Sequence, residues 1–189
     1  PEERLLAYQL SGTEPSVLAE AASYLQQLGA DLIDINCGCP KTKIRKKGAG
    51  SALLENPEHL QSIIQHVREE LTIPLTVKIR IQGNEKDILL AQKIVDAGAD
   101  ALIVHGRRWV DDYDIAVDLQ QIALIKQAVK IPVIANGDIA DEASLKRAIE
   151  QTGCDAYMIG RAGSGKPWLY QELLGTPVEI NQSKKIELF

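Results

Sequence analysis

The sequence predicts an α/β fold made of repeated strand–helix units. Six short apolar runs rich in β-branched residues alternate with longer segments of helical period. Hydrophobic residues make up 45% of the 189 residues but aromatic residues only 4%, so the core must consist mainly of Leu, Ile, Val and Ala. Such a core suits helices layered on a sheet better than an aromatic-rich β-sandwich. Turns containing Gly or Pro precede the runs, as at residues 98–100 and 153–155.

The predicted elements follow one another in a regular order. The strands are expected at residues 5–10, 32–36, 75–81, 101–105, 132–136 and 156–160. The helices are expected at residues 15–28, 57–71, 85–97, 119–129 and 141–151. Parallel strands joined by such crossovers form an α/β sheet or barrel. No linker divides the units, so residues 1–175 are predicted to be one domain, and residues 176–189 the start of a helical region or a tail.

Composition excludes several classes of protein. Three cysteines, with Cys37 and Cys39 separated by one residue, give neither a disulfide framework nor metal-ligand spacing, and no metal is expected. No window approaches 18 consecutive apolar residues, and residues 1–4 lack the features of a signal peptide. The chain is therefore expected to be cytoplasmic, without a membrane partner. Its net charge of -5 argues against a generally basic nucleic-acid-binding surface but says little about a local patch.

The most informative motif is Asn-Cys-Gly-Cys-Pro at residues 36–40, directly after a run that predicts a buried strand. Gly38 allows close backbone approach, and Pro40 prevents the strand from continuing. The thiol of Cys39 would therefore be presented at the strand end, where it can donate a proton. The alternative is an ordinary buried cysteine beside a turn.

Polar side chains, and two glycines with approachable backbone, lie at or just after the ends of the predicted strands. They are Gln9, Asn36, Cys39, Lys78, Arg80, His105, Arg107, Asn136, Gly137, Asp138, Gly160 and Arg161. In a (β/α)₈ barrel these positions converge on one face, with a phosphate site commonly formed after the last two strands. A phosphorylated cofactor is therefore expected. Six units cannot close an eight-stranded barrel, so we expect either an open sheet or, preferably, an incomplete barrel that lacks two N-terminal units.

Five motifs in a fixed order identify a resemblance. They are the motif at 36–40, Val-Lys-Ile-Arg at 77–80, His-Gly-Arg at 105–107, Asn-Gly-Asp at 136–138 and Met-Ile-Gly-Arg at 158–161. From residue 9 to residue 169 the chain resembles the bacterial, FMN-dependent tRNA-dihydrouridine synthases. The resemblance implies an FMN-binding TIM barrel followed by a helical domain. It also implies that NADPH reduces FMN, and that reduced FMN transfers hydride to a tRNA uridine to give 5,6-dihydrouridine.

The resemblance carries roles for individual residues. Cys39 would be the general acid that protonates uracil C5, and a free thiol with a pKa of about 8.5 is mostly protonated at pH 7. Asn36 and Arg80 would hold the uracil edge, since an amide and a guanidinium can satisfy its carbonyls and N3–H. Lys78 and His105 would lie between flavin and base and contact both. The alternative for Lys78 is a buried ion pair.

The remaining family positions concern the cofactor. Gln9 would contact the flavin ring, or be an exposed amide at a strand end. The FMN phosphate would be held by the backbone at Gly137 and Gly160 and by Arg161, and Asn136 and Asp138 would line the same cofactor pocket. Residues 160–166 also match most of a P-loop, but Pro167 occupies the place where Ser or Thr must bind Mg²⁺, so an NTPase is not expected. The family's N-terminal flavin-binding segment has no counterpart before Gln9.

A basic stretch, Lys-Thr-Lys-Ile-Arg-Lys-Lys-Gly at 41–48, follows the cysteine motif. It is interpreted as a loop that holds tRNA phosphates, against the alternative of a solvated charged loop. Arg108 and Trp109 depart from the family pattern. Arg108 is a candidate phosphate contact, and Trp109 is either a stacking surface or a packing residue. The target uridine would be flipped out of its stack, and the variant of the motif that contains Cys37 resembles the subgroup that acts at position 16.

Two other functions stay open at this point. The first is a flavin-dependent reductase of free pyrimidines, similar to dihydroorotate dehydrogenase, in which a loop cysteine also exchanges a proton at C5. The basic stretch argues against it, because a small substrate has no need for such a loop. The second is a catalytically silent RNA-binding fragment. Cys37 and Cys154 match no catalytic position and are predicted to be structural.

Overall fold

A computed structural model describes residues 5–175 as a six-stranded parallel sheet with helices packed on one face. Each strand pairs in parallel with the next strand along the chain. The strands are β1 (Ala7–Leu10), β2 (Leu32–Cys37), β3 (Leu75–Arg80), β4 (Ala101–His105), β5 (Val133–Asn136) and β6 (Ala156–Met158). The sequential order is that of a (β/α) barrel, so the predicted α/β fold with six barrel units is confirmed. Within the described residues, β1 and β6 are the two edges of the sheet.

Five long helices form the crossovers, each within two residues of its predicted ends. They are α1 (Pro15–Gln27), α3 (Pro57–Glu70), α4 (Lys86–Asp96), α5 (Leu119–Ala128) and α6 (Glu142–Thr152). Pro at the first turn and an Asn56 cap begin α3, and a capping box at Asp141 and Ser144 begins α6.

Four short helical segments were not predicted from the sequence. They are α2 (Thr42–Arg45), a 3₁₀ helix (Gly50–Glu55), α7 (Arg161–Ser164) and α8 (Leu169–Leu173). The interpretation of residues 41–48 as a loop is therefore wrong for α2. One helical turn is too short to produce a recognisable apolar period. The predicted helical region or tail at residues 176–189 lies outside the described residues.

The alternation of side chains along the strands separates the core from the polar face. On β2 and β3, one face carries Ile33, Ile35, Cys37, Val77 and Ile79, which are all fully buried in the cluster formed with the helices. Burying each large aliphatic side chain contributes about 1.5–3 kcal/mol. The opposite face of the sheet carries the polar side chains, and these point to the barrel interior.

A repeated turn joins the strands in pairs. The turns at residues 29–31, 98–100 and 153–155 each have a Gly with positive φ, at 94°, 101° and 59°, that ends the preceding helix. Each Asp at the third position then bonds twice to one residue at the start of the preceding strand. Asp100, for example, accepts from Leu75 N at 2.8 Å and donates its own N–H to Leu75 O at 2.8 Å. Asp31 and Asp155 make the same pair of bonds with Leu6 and Val133.

We expect Asp100→Ala to lower the free energy of unfolding by about 1–3 kcal/mol, because it leaves the N–H of the fully buried Leu75 without its acceptor. The Arg68 ion pair at 2.8 Å is removed as well. Urea unfolding followed by circular dichroism measures the change. Asp100→Asn, which keeps an acceptor, should lose less stability. Asp96 is exposed, and Asp96→Ala removes the same charge, so this variant should hardly change the free energy of unfolding. An equal loss of stability in all three variants would contradict the role of the Asp100 acceptor.

Candidate active site

A cavity of about 600 Å³ opens at the carboxyl ends of the strands. All the candidate site residues named from the family resemblance line it. They are Gln9, Asn36, Cys39, Lys78, Arg80, His105, Asn136, Gly137, Asp138, Gly160 and Arg161. The volume lies within the range of about 300–1,000 Å³ that is usual for small-ligand sites. The register of the sheet brings these residues together, since Asn36 pairs with Lys78, and Arg80 with His105.

Sequence reasoning missed Tyr113, which also lines the cavity. It lies in the long connection between β4 and α5, and the backbone of that connection is held by Arg107. Arg107 is almost fully buried and donates to the carbonyls of Tyr113 and Ile115 and to Asp138 Oδ2. No local pattern marks Tyr113, because its position depends on these contacts between distant residues.

The end of β2 at Cys37 separates the two cysteines of the motif. Cys37 ends β2 on the helix-covered face, is fully buried, and has a pKa raised by that burial. Cys39 lies beyond the strand end, is half-buried and lines the cavity. The interpretation as an ordinary buried cysteine therefore fits Cys37 and not Cys39. Cys154 is half-buried with a pKa also raised by burial, and it does not line the cavity.

Hydrogen bonds hold the Cys39 backbone on both sides. On one side, Asn36 Oδ1 accepts from the N–H of Gly38 at 3.2 Å and of Cys39 at 3.0 Å. On the other side, the N–H and the hydroxyl of the fully buried Ser51 both donate to Cys39 O at 3.0 Å. Arg45 Nη1 in turn donates to Ser51 Oγ at 3.0 Å. The thiol therefore sits on a fixed backbone although it follows a strand end.

The amides of Gln9 and Asn36 are already bonded within the protein. Asn36 Nδ2 donates to Gln9 Oε1 at 2.7 Å, and Gln9 Nε2 donates to Asp34 Oδ2 at 2.6 Å. Asp34 also accepts from Thr76 Oγ1 at 2.6 Å. Burial raises the pKa of Asp34, while the hydrogen bonds from Thr76 and Gln9 and the charge of Lys78 oppose that rise. Each amide nitrogen keeps one N–H that these bonds do not use.

Lys78 is held by an amide and not by a carboxylate. Its Nζ donates to Asn136 Oδ1 at 3.0 Å, and Asn136 Nδ2 donates to Met158 O at 2.9 Å. Within residues 5–175 Lys78 has no ion pair, so the alternative of a buried salt bridge does not apply there. Burial lowers the pKa of Lys78, and the nearby Asp34 charge opposes this. Two of its three N–H bonds are left for a ligand.

Arg80 and His105 form the adjacent part of the wall. Arg80 is buried and donates from Nη1 to Arg108 O at 2.9 Å. Burial, together with the charges of Arg80 and Lys78, lowers the pKa of His105 to about 3. His105 is therefore neutral at physiological pH and presents one donor and one acceptor nitrogen. Its buried Nδ1 has no hydrogen-bond partner among the described residues.

The other end of the cavity carries Asp138 and Arg161. Asp138 has a positive φ of 53°, and its Oδ2 accepts from Arg107 at 2.7 Å. Its Oδ1 lies 3.5 Å from Arg161 Nη2, and the Arg161 guanidinium stacks 3.9 Å from the centroid of the Tyr113 ring. Asp138 thus orients Arg161 across the cavity mouth. Gly137 has a φ of 124°, and a Cβ there would lie 2.4 Å from Val117 Cγ1, so only glycine fits.

Residues 160–166 do not have the conformation of a P-loop. The helix α7 begins at Arg161, within the motif, whereas a P-loop wraps its backbone around the phosphates before the helix starts at the Lys. Apart from its chain neighbours, no atom of residues 5–175 lies within 4 Å of a Cβ built on Gly160, so the backbone there is open to approach. The rejection of an NTPase from the sequence is consistent with this geometry.

The basic stretch divides into two groups. Lys41, Lys43, Lys46 and Lys47 are exposed and have no ion pair within residues 5–175. Arg45 turns inward, where it pairs with Glu55 at 2.5 Å and stacks 3.6 Å from the centroid of Trp109. Trp109 is thus a packing partner of Arg45 that remains 42% exposed.

Arg108, a candidate phosphate contact in the sequence, pairs with a neighbour along the chain. Its guanidinium donates to Asp111 from both Nε and Nη2, with the shortest contact at 2.7 Å.

Among residues 5–175 no group of three or more His, Cys, Asp or Glu side chains is placed to hold a metal ion. Over the same residues, no helix has both the length and the apolar character needed to span a bilayer.

Comparisons with solved structures concern the fold alone. Morphinone reductase superposes with a TM-score of 0.62 at 19% identity, over 90% of this chain and 51% of that one. A phosphonopyruvate hydrolase complex with oxalate and Mg²⁺ superposes with a TM-score of 0.65 at 18% identity, over 94% of this chain and 65% of that one.

Comparisons with sequences are more specific. A tRNA-dihydrouridine synthase B of Pseudomonas aeruginosa is 43% identical over 175 residues, which are 91% of this chain and 53% of that protein. A protein of the same name from Escherichia coli is 40% identical over 177 residues, 91% of this chain and 54% of that protein. The chain spans about half the length of these curated relatives. The family model described as dihydrouridine synthase matches residues 1–187, and the chain belongs to that family.

Proposed function

We propose that this chain provides the catalytic barrel of a tRNA-dihydrouridine synthase, which reduces a D-loop uridine of tRNA to 5,6-dihydrouridine. The observation that carries the proposal is a half-buried thiol, Cys39, on a fixed backbone at a cavity that also holds Lys78, Arg80 and His105. Membership of the family and the names of the relatives support it. Position 16 as the target uridine stays a prediction.

The residues of the cavity fit a flavin mononucleotide. The cavity volume of about 600 Å³ lies within the range usual for small-ligand sites. Lys78 and Arg161 supply cationic donors, and the buried Nδ1 of His105 lacks a partner among the described residues. When bound and reduced by NADPH, the flavin would supply hydride to the uracil ring. Its ring would be held by Gln9, Lys78 and His105.

The phosphate of FMN would lie at the other end of the cavity. Arg161 and the backbone at Gly137 and Gly160 would bind it. Asn136 would line the same pocket and hold Lys78 for its contact with the flavin ring. Asp138 cannot bind a phosphate through its own carboxylate, since like charges repel. Its part is to hold Arg161 and Arg107 in place.

The uracil would be bound and protonated by residues at the strand ends. Arg80 offers guanidinium donors, and neutral His105 offers one donor without adding positive charge. Asn36 reaches the base with the N–H that Gln9 does not use, while its main part is to hold the Cys39 backbone. Cys39 then donates its thiol proton to uracil C5 as the general acid.

Transfer RNA would be gripped beside the cavity by the exposed lysines of residues 41–47. Their lack of ion pairs within the described residues leaves them free for phosphates. A base can reach the cavity only after leaving its stack, so the protein would bind a flipped-out uridine. This grip favours tRNA over a free pyrimidine as the substrate.

The proposal is tested by measuring dihydrouridine in unmodified tRNA after incubation with the full-length protein, FMN and NADPH. Cys39→Ala should lower the rate by about 10²- to 10⁴-fold, the usual loss when a general acid is removed. Cys154→Ala, a half-buried cysteine outside the cavity, should leave the rate unchanged. A parent protein that binds FMN and oxidises NADPH but leaves tRNA unmodified would favour the free-pyrimidine reductase. A parent that binds no flavin would favour a silent RNA-binding protein.

A second prediction concerns the glycine beneath the thiol. Gly50 has a φ of 62°, and a Cβ there would lie 2.7 Å from Cys39 O and 3.1 Å from Cys39 Cβ. Gly50→Ala should therefore displace Cys39 and lower kcat by about tenfold to a hundredfold, with little change in flavin affinity. Gly48→Ala is the matched control. Its φ is also positive, at 78°, but among the described residues its Cβ would meet only Thr13 Cγ2, at 3.5 Å. Equal losses in both variants would assign the effect to backbone strain.

The lysines give a third prediction. Lys43→Ala with Lys46→Ala should weaken tRNA binding most at low ionic strength and reduce the slope of log K against log salt by about one for each phosphate that is no longer neutralised. Filter binding at several salt concentrations measures the slope. Exposed Lys130, which precedes β5 at the opposite end of the strands, is the control for loss of charge. A slope that Lys130→Ala reduces equally would contradict a specific role for the basic stretch.

A further inference from the structure

Asp34 is a buried carboxylate that the proposed reaction does not use. It lies on β2, two residues before Asn36, and is 6% exposed. Its oxygens accept separate hydrogen bonds, from Thr76 Oγ1 at 2.6 Å and from Gln9 Nε2 at 2.6 Å. A carboxylate is costly to bury, and the property that distinguishes it from an amide is that an ionised carboxylate can only accept hydrogen bonds.

The hydrogen bonds from Asp34 to Cys39 all run in one direction. Because Asp34 accepts, Gln9 must turn its N–H toward it and its Oε1 away. Gln9 Oε1 then accepts from Asn36 Nδ2 at 2.7 Å, which turns Asn36 Oδ1 toward the loop. That oxygen accepts from the N–H of Gly38 at 3.2 Å and of Cys39 at 3.0 Å.

We propose that Asp34 is a positioning residue that fixes the orientation of the Gln9 and Asn36 amides and thereby holds the Cys39 backbone at the cavity. The proposal rests on the proposed function only for the chemical role of the Cys39 thiol. The oxygen and nitrogen ends of an amide have nearly the same shape. If the group at position 34 could donate as well as accept, the amides of Gln9 and Asn36 could therefore adopt either of two orientations. In the reversed orientation, Asn36 Nδ2 faces two N–H donors, and both bonds to the loop are broken.

Three variants separate hydrogen-bond direction from packing. Asp34→Asn can offer Gln9 either a donor or an acceptor, so it no longer fixes the direction. The double variant Asp34→Asn with Gln9→Glu moves the carboxylate to position 9. There it accepts from the new amide at position 34 and from Asn36 Nδ2, which restores the original direction. Thr76→Val is the matched control, because it removes a hydrogen bond of the same carboxylate but leaves the bonds toward Cys39 intact.

The first measurement is the rate at which iodoacetamide alkylates Cys39 in the full-length protein, located by tandem mass spectrometry. Asp34→Asn should raise this rate roughly three- to tenfold, the effect of losing about one hydrogen bond from the loop. Thr76→Val and the double variant should stay within about twofold of the parent. A parental rate in Asp34→Asn, or a double variant as fast as Asp34→Asn, overturns the proposal. If Asp34→Asn does not fold, Gln9→Met is used, because it removes the next group in the same series of hydrogen bonds. Gln9→Met must then raise the alkylation rate, and a parental rate overturns the proposal.

Alkylation requires neither tRNA nor a cofactor, so it separates this proposal from the proposed function. The expected pattern of alkylation rates in a protein that forms no dihydrouridine rejects the proposed function and supports the positioning role. Dihydrouridine formation by Asp34→Asn at the parental kcat, with a parental alkylation rate, rejects the positioning role alone.

Discussion

Side chains alternate between the two faces of a parallel sheet, and the register of this sheet aligns that alternation across neighbouring strands. Asn36 therefore lies beside Lys78, and Arg80 beside His105, all on the face away from the helices. A shift of one residue in any strand would place its polar side chains among buried aliphatic ones. The apolar packing of the helix-covered face thus fixes the geometry of the cavity, although no residue of that face touches it.

The fold and most of the residues of the cavity could be predicted from the sequence. Apolar runs and turns predicted the six strands and the five crossover helices, and the resemblance carried by the ordered motifs named most of the residues that line the cavity. The predicted strand end before Gly38 and Pro40 also separates Cys37 from Cys39, since one ends a strand and the other follows it in the turn. These features are local, and local patterns are what a single sequence displays.

Other features depend on contacts between residues far apart in the chain. The inward turn of Arg45 requires Trp109, 64 positions later, and the place of Tyr113 requires the buried Arg107 and Asp138. The engagement of Gln9 and Asn36 with each other could not be anticipated either, because it depends on the close approach of β1 and β2. A basic residue in a charged run looks the same in sequence whether it faces solvent or a tryptophan.

The three Asp turns lie at the amino ends of the strands, opposite the cavity. Each one ties a strand pair together with bonds that involve no residue of the site. Elements that keep the sheet intact are thus separated by the full length of the strands from the residues that meet a ligand. Substitutions around the cavity can accumulate without loosening the scaffold, which gives such a protein room to change its substrate during evolution while its architecture is conserved.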